Sequence, residues 1–147
     1  MIIQRAESLT LAAQREAIRR AQLGPLLRRC GDALAVAARA PLTVRLSDDT
    51  ELRELHARFL GNDVATDVLA FPSGEPGRVG DVAISVERAL AQGGDDGAAE
   101  LRLLAVHGLL HCLGHDHAGA AEAAAMTEAT RRLLPGQAVP ELVAAEA

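Results

Sequence analysis

Three histidines stand close together in this chain, His107, His111 and His117, at the spacing of ligands to one metal ion. His107 and His111 are four residues apart, so on a helix their rings project from one face, a turn apart, and can converge on a single cation. Gly114 follows, where a residue in the left-handed conformation can end a helix and reverse the chain. That turn brings back a third imidazole at His117. Three neutral protein ligands leave a fourth coordination position for water, the arrangement of catalytic rather than structural zinc sites. The run His107-Gly-Leu-Leu-His111-x-x-Gly114-x-Asp116-His117 has the spacings of the extended zincin pattern. One Zn2+ is the expected cofactor, although three imidazoles also accept nickel or iron.

In metalloproteases of the H-E-x-x-H type, the residue after the first histidine is the glutamate that takes a proton from the zinc-bound water. Here that position is Gly108. The zincin geometry is therefore present without its peptide-cleaving base. A zinc ion still lowers the pKa of water and offsets charge on a phosphoryl oxygen, which suits phosphodiester hydrolysis. Of the neighbouring residues, His115 reads as a pocket or surface residue, because His117 has the better ligand spacing. Asp116 either orients a ligand by accepting the second N–H of an imidazole or serves as a turn residue. Cys112 points off the histidine face and reads as an inert thiol.

The elements that must position these groups can be read around them. From Leu103 to Leu113 the sequence is apolar on every side except at the two histidines, which predicts a buried helix over about 98–113. Upstream, residues 1–4 suit a short strand, residues 9–22 an amphipathic helix ended by Gly24 and Pro25, and residues 26–39 a second helix that stops before Pro41. Leu42 to Leu46 alternates apolar and polar residues as a half-buried strand does. Asp48 or Asp49 can cap a helix carrying Leu52, Leu55 and Phe59. Thr66–Phe71 and Val79–Val86 are rich in strand-favouring residues and should pair as a hairpin across a Gly- and Pro-rich loop. A break at 92–97 opens the histidine helix, and a last helix over about 118–134 stops at Pro135. The expected fold is α+β, a small mixed sheet of about four strands packed with several helices around the metal-bearing one. It forms a single metallohydrolase domain over residues 1–135, and residues 136–147 read as a mobile tail with little to pack.

Composition bounds the partners. At 147 residues with 49% hydrophobic and 24% charged residues, the chain can bury one sizeable core without disulfides. Phe59 and Phe71 are its only aromatic residues, so a stacking platform for successive bases is excluded and nucleic acid must be held mainly through its backbone. All 15 basic residues are arginine, and residues 1–45 carry eight of them against three acidic residues, although the whole chain is at −5. That basic third either attracts phosphates or consists of solvated helix faces. Cys30 and Cys112 are too few and too unpatterned for a disulfide framework, which fits a reducing cytoplasm. Neither a signal-peptide core nor an apolar run of membrane-spanning length is present.

Set against known families, the sequence resembles the YbeY rRNA-maturation endoribonucleases. Their signature H-G-x-L-H-x-x-G-x-D-H is matched at His107, Gly108, Leu110, His111, Gly114, Asp116 and His117. Thr66-Asp67-Val68-Leu69-Ala70-Phe71-Pro72 resembles the family's T-D-V-L-S-F-P, and Gly80 to Ser85 its G-D-I-x-I-S strand. Met126 sits where the family often has a methionine beneath the site. The resemblance implies a metal-dependent endoribonuclease specific for single-stranded RNA, acting in small-subunit rRNA maturation and ribosome quality control alongside the small subunit or its assembly factors. It also implies that the strand from Thr66 borders the substrate cleft and that Asp67 and Asp81 shape the loops around it. One departure stands out, because the family's L-N-x-x-Y-R reads here Leu55-His56-Ala57-Arg58-Phe59-Leu60. The arginine suited to a phosphate is thus Leu60, and Arg58, about 200° away around a helix, faces elsewhere unless the helix has already ended. Competing readings are a zinc hydrolase of peptides or amides, with its base elsewhere, and a non-catalytic ribosome-assembly factor whose zinc stabilises the fold.

Overall fold

A computed structural model describes residues 1–36, 40–61, 63, 66–94 and 96–144. Four strands, β1 (Ile2–Arg5), β2 (Leu42–Ser47), β3 (Val68–Pro72) and β4 (Gly80–Ser85), form one sheet in the order β1-β2-β4-β3. The pairs β1·β2 and β2·β4 are parallel and β3·β4 is antiparallel, so the sheet is mixed, as expected. Six helices surround it among the described residues: α1 (Ala12–Ala21), α2 (Leu23–Ala33), α3 (Asp49–Leu60), α4 (Val86–Gly93), α5 (Gly97–Cys112) and α6 (Ala120–Leu133).

Strand alternation decides which face each helix covers. Leu42, Val44 and Leu46 of β2 and Val82 and Ile84 of β4 point into the main core, which they share with α1, α2, α5 and Met126 of α6. The register Val44↔Val82 and Leu46↔Ile84 sets these side chains next to one another. On the opposite face Leu69 and Ala83 meet Leu52 of α3, with Leu55 and Phe71 beside them. Helix α5 is the centre of the fold and packs on α1, α2, α4, α6, β3 and β4. That placement explains why its sequence is apolar on nearly all sides.

Several boundaries differ from the sequence reading, each for a local reason. Gly24 and Pro25 do not separate two helices; they lie in the first turn of α2, where the missing proline N–H costs nothing. The break falls instead at Gln22, whose φ of 46° lets α2 follow α1 at once. Helix α2 ends at Ala33, with Ala35 at φ 57°; residues 37–39 of the expected span lie outside the described residues. Sequence reading missed α4 altogether, because Ser85 ends β4 and caps α4 with no turn between, its side chain accepting from the Arg88 N–H. The segment expected to find little to pack also makes contacts. The Leu142 N–H donates to Thr127 Oγ1 at 3.0 Å, and Val139 and Leu142 pack against the core; residues 145–147 lie outside the described residues. No helix among the described residues is long and apolar enough to cross a membrane.

Candidate metal centre

Three features of α5 and its end place the histidines. Asp96 caps the start of the helix, accepting from the Ala99 N–H at 3.0 Å. Midway, Gly108 faces β4: a Cβ there would lie 2.5 Å from Val82 Cγ1, so only glycine allows the helix to lie this close to the sheet. At the end, the N–H of Gly114 donates to the His111 carbonyl and that of His115 to the Leu110 carbonyl, with Gly114 at φ 99°. This is a Schellman closure, and it turns the chain back so that His117 faces the helix it has just left.

The three rings meet. Among the described residues, one nitrogen each from His107, His111 and His117 falls within a mutual 4.8 Å, and the Nε2 atoms of His107 and His111 are 3.0 Å apart. Two ring nitrogens that close, at the floor of a cleft, suit lone pairs directed at a shared cation. Nδ1 of His117 is buried with no hydrogen-bond partner, an omission that a buried polar atom rarely tolerates without a ligand or solvent to satisfy it. Burial lowers the His107 pKa to about 4, with the other two imidazoles adding to the effect and Asp67 opposing it. His111 is lowered by the same desolvation and by His117. All three observations fit one divalent metal ion: the rings converge, a buried nitrogen of His117 lacks a partner, and His107 and His111 are held in the neutral form that ligation needs.

A chamber of about 310 Å³ opens over the triad, bordered by Thr66 to Ala70 and by Leu60. Thr66 and Asp67 therefore join the histidines. Asp81 does not, since it pairs with Arg78 at 3.5 Å on the hairpin loop. Asp116 serves the turn, its Oδ1 accepting from the Ala118 N–H at 3.1 Å. His115 remains outside the triad. Cys112 lies against the Asp81 carbonyl, and burial pushes its thiol up to about 11, so it is unreactive near neutral pH. Met126 is fully buried in the core rather than in the chamber.

Helix α3 continues through Leu60 to a C-cap at Gly61, so Arg58 keeps its helical position and is absent from the chamber wall. Leu60, 54% exposed, stands at the wall in the arginine's place. No arginine lines this chamber among the described residues. His56 is half-buried and does not line it either. Arg5 of β1, Arg15, Arg19 and Arg20 of α1, and Arg28 and Arg29 of α2 lie exposed, Arg45 of β2 pairs with Glu51, and none of them lines the chamber; Arg39 lies outside the described residues. Phe59 and Phe71 meet edge to face with centroids 5.5 Å apart.

A mixed α+β fold that brings three imidazoles to one point beside an edge strand defines a candidate mononuclear metalloprotein of the three-histidine class. The profile described as Endoribonuclease YbeY matches residues 7–136, and the chain belongs to the YbeY family. Proteins named Endoribonuclease YbeY are similar to it: one from Solibacter usitatus is 51% identical over 85 residues, 56% of this chain and 57% of its own. A second, from Gloeobacter violaceus, is 43% identical over 116 residues, 70% of this chain and 60% of its own. A third, from Moorella thermoacetica, is 38% identical over 130 residues, 78% of this chain and 83% of its own. The chain thus spans less than two thirds of the length of the first two. The solution structure of a Thermotoga maritima protein shares the fold, with a TM-score of 0.61 at 24% identity, covering 90% of this chain and 86% of that one.

Proposed function

We propose that this chain is a zinc-dependent endoribonuclease cutting single-stranded RNA, with His107, His111 and His117 as metal ligands and catalytic centre in one domain over residues 1–135. The observation that carries the reading is a pairing. Three imidazoles converge on one point, while Gly108, at the protease glutamate's position, is pressed against Val82. That supports Lewis-acid chemistry and leaves no room for a glutamate base at the position zincin proteases use.

When bound, the ion supplies a positive charge for a phosphoryl oxygen and lowers the pKa of a water molecule. The protein's own groups supply the rest. His107 and His111 stay neutral because burial disfavours their charged forms. Asp67, in the chamber wall, is the carboxylate best placed to accept a proton, and the Gln92 amide fixes it by donating to Oδ2 at 3.2 Å. The Ser85 N–H holds the Asp67 backbone at 2.8 Å, extending the hairpin by one residue. Beyond β3, the sheet's edge strand, a strand of RNA can lie along the chamber with its phosphate over the triad.

Family membership supports a role in small-subunit rRNA maturation and ribosome quality control in the cytoplasm, with the small subunit or its assembly factors as partners. The test is to load the full-length protein with zinc and offer it unstructured RNA and unfolded protein together. RNA cleavage that disappears in His111→Ala along with the bound zinc is the expected result; cleavage of protein alone would overturn the reading. A folded His111→Ala chain that still supports rRNA maturation would favour the assembly-factor role.

A further inference from the structure

A second chamber, of about 290 Å³, adjoins the first and has Asp67, Val68, His107 and His117 in common with it. Its size is near the lower end of small-ligand pockets. His107 and His117 therefore border both chambers, as a cleaved phosphate is bordered by two nucleosides. The second chamber runs beside Leu103 and Leu104 of α5 and is closed by Val139, Pro140 and Leu142. Those closing residues lie beyond the family match, which ends at residue 136. Three hydrogen bonds fix the segment: Leu142 N–H to Thr127 Oγ1, Arg131 Nη2 to the Val139 carbonyl at 3.1 Å, and Gln137 Nε2 to the Ala99 carbonyl at 2.7 Å.

The polar groups inside are unevenly matched. Thr127 and Thr130 donate their hydroxyl protons back into α6, to the carbonyls of Ala123 and Met126, so neither offers a proton to a guest. What remains is a pair of carboxylates on one side, Asp67 and Glu100, joined by the Gln92 amide, which donates to Asp67 at 3.2 Å and to Glu100 at 3.1 Å. Burial raises the Glu100 pKa, Gln92 opposes that, and Asp67 adds to it; no cation is among these influences. Apart from His107 and His117, the imidazoles assigned to the metal, a guest thus meets apolar walls and, on one side, two carboxylate acceptors without spare donors. Its complement is a planar apolar ring with N–H donors on its edge.

We infer that this second chamber receives a nucleobase flanking the cleaved linkage and favours bases with an exocyclic amino group, adenine, cytosine or guanine, over uracil. The inference rests on the endoribonuclease reading for its substrate. Cytosine's amino group carries two N–H donors, enough for both carboxylates at once, whereas uracil offers the pair a single N3–H flanked by two carbonyl oxygens, so the difference is one charge-assisted hydrogen bond gained or one acceptor facing another.

The experiment uses the full-length, zinc-loaded protein with labelled leucine and valine methyls, titrated separately with CMP and UMP. CMP should shift the methyls of Leu103, Val139 and Leu142 and bind about tenfold more tightly than UMP. In single-stranded oligoribonucleotides varied at one position, the same order should appear in cleavage, and Glu100→Gln should erase it. Val139→Trp, which fills the chamber, should abolish the CMP shifts while bound zinc stays unchanged. RNA cut without base preference, with equal or absent methyl shifts, overturns the inference and leaves the endoribonuclease reading standing. RNA left uncut while CMP still shifts those methyls selectively supports the base chamber and removes the endoribonuclease reading.

Discussion

Across one cleft, two regions meet on very different terms. On the floor, His107 and His111 ride a helix pressed to Val82 at Gly108, and His117 returns through a turn closed by two backbone hydrogen bonds. At the rim, α3 ends with Phe59 and Leu60 more than half exposed, 59% and 54%. The floor is over-determined: moving a ligand means moving a helix that contacts most of the core. The rim can change with little structural consequence, and it is at the rim that the resemblance to the family's pattern breaks, with Leu60 where that pattern leads one to expect arginine. On the proposed function, chemistry is thus fixed where packing is tight, and affinity for RNA is adjustable where it is loose.

The sharpest way to break that comparison is at a ligand. His111→Ala should remove the bound zinc, from one per chain to near zero by elemental analysis, and lower RNA cleavage by on the order of a hundredfold or more. Lowering the pH should attack the same floor. In the metal-free protein His107 titrates at about 4 against 6.5 for an ordinary histidine, so between those values the unfolded chain holds a proton that the folded one lacks. Stability is therefore full above about pH 6.5 and falls as the pH drops toward 4. The raised Glu100 pKa works in the opposite direction, so the measurement is the urea midpoint of the metal-free protein at pH 7, 6 and 5 beside His107→Asn. The variant should show a flatter dependence; identical slopes would remove His107 as the cause.

Gly108→Ala tests the packing alone. Alanine is intrinsically the better helix residue by about 1 kcal/mol, yet its Cβ would collide with Val82, and overpacking of this kind costs about 1–3 kcal/mol. We expect a net loss and a drop of several degrees in Tm. Combining it with Val82→Ala should recover part of that loss, a coupling that only direct contact explains. Additive effects would refute the contact.

Local signals explain what could be read from the chain before its fold. The i, i+4 histidines, the glycine that ends their helix and the all-round apolar character of α5 are written within some 15 consecutive residues, so the clustering of the three rings and the turn were legible from spacing. The hairpin followed as well, because alternation and a Gly- and Pro-rich loop are also local. By contrast, the reason Gly108 must be glycine lies 26 residues away at Val82, and the pairing of Asp67 with Glu100 runs through Gln92 on a helix the sequence reading missed. A signal for α4 did exist in Ser85 followed by Val86, Ala89 and Leu90, but the preceding strand pattern ran into it without a turn. The second chamber was invisible for a similar reason, since its outer wall comes from a segment whose apolar residues are sparse and whose anchors, Thr127 and Ala99, are distant in sequence.

Leu60→Arg asks the smallest change and the most pointed question about the rim. Arginine and leucine have similar helix propensity, and a half-exposed terminal leucine contributes little burial, so stability should stay within about 0.5 kcal/mol. The new guanidinium would enter a wall that now holds no arginine, within reach of a phosphate lying over the triad. One added phosphate contact should lower the Kd for single-stranded RNA about tenfold at low salt. It should also steepen the plot of log affinity against log salt by about 0.7, the signature of one more phosphate neutralised on a single strand. A gain in affinity with no change in that slope would mean the arginine acts elsewhere than on phosphate. If Tm instead fell by several degrees, the rim would prove as constrained as the floor, and the absence of the family arginine would be a packing requirement rather than an adjustment of affinity.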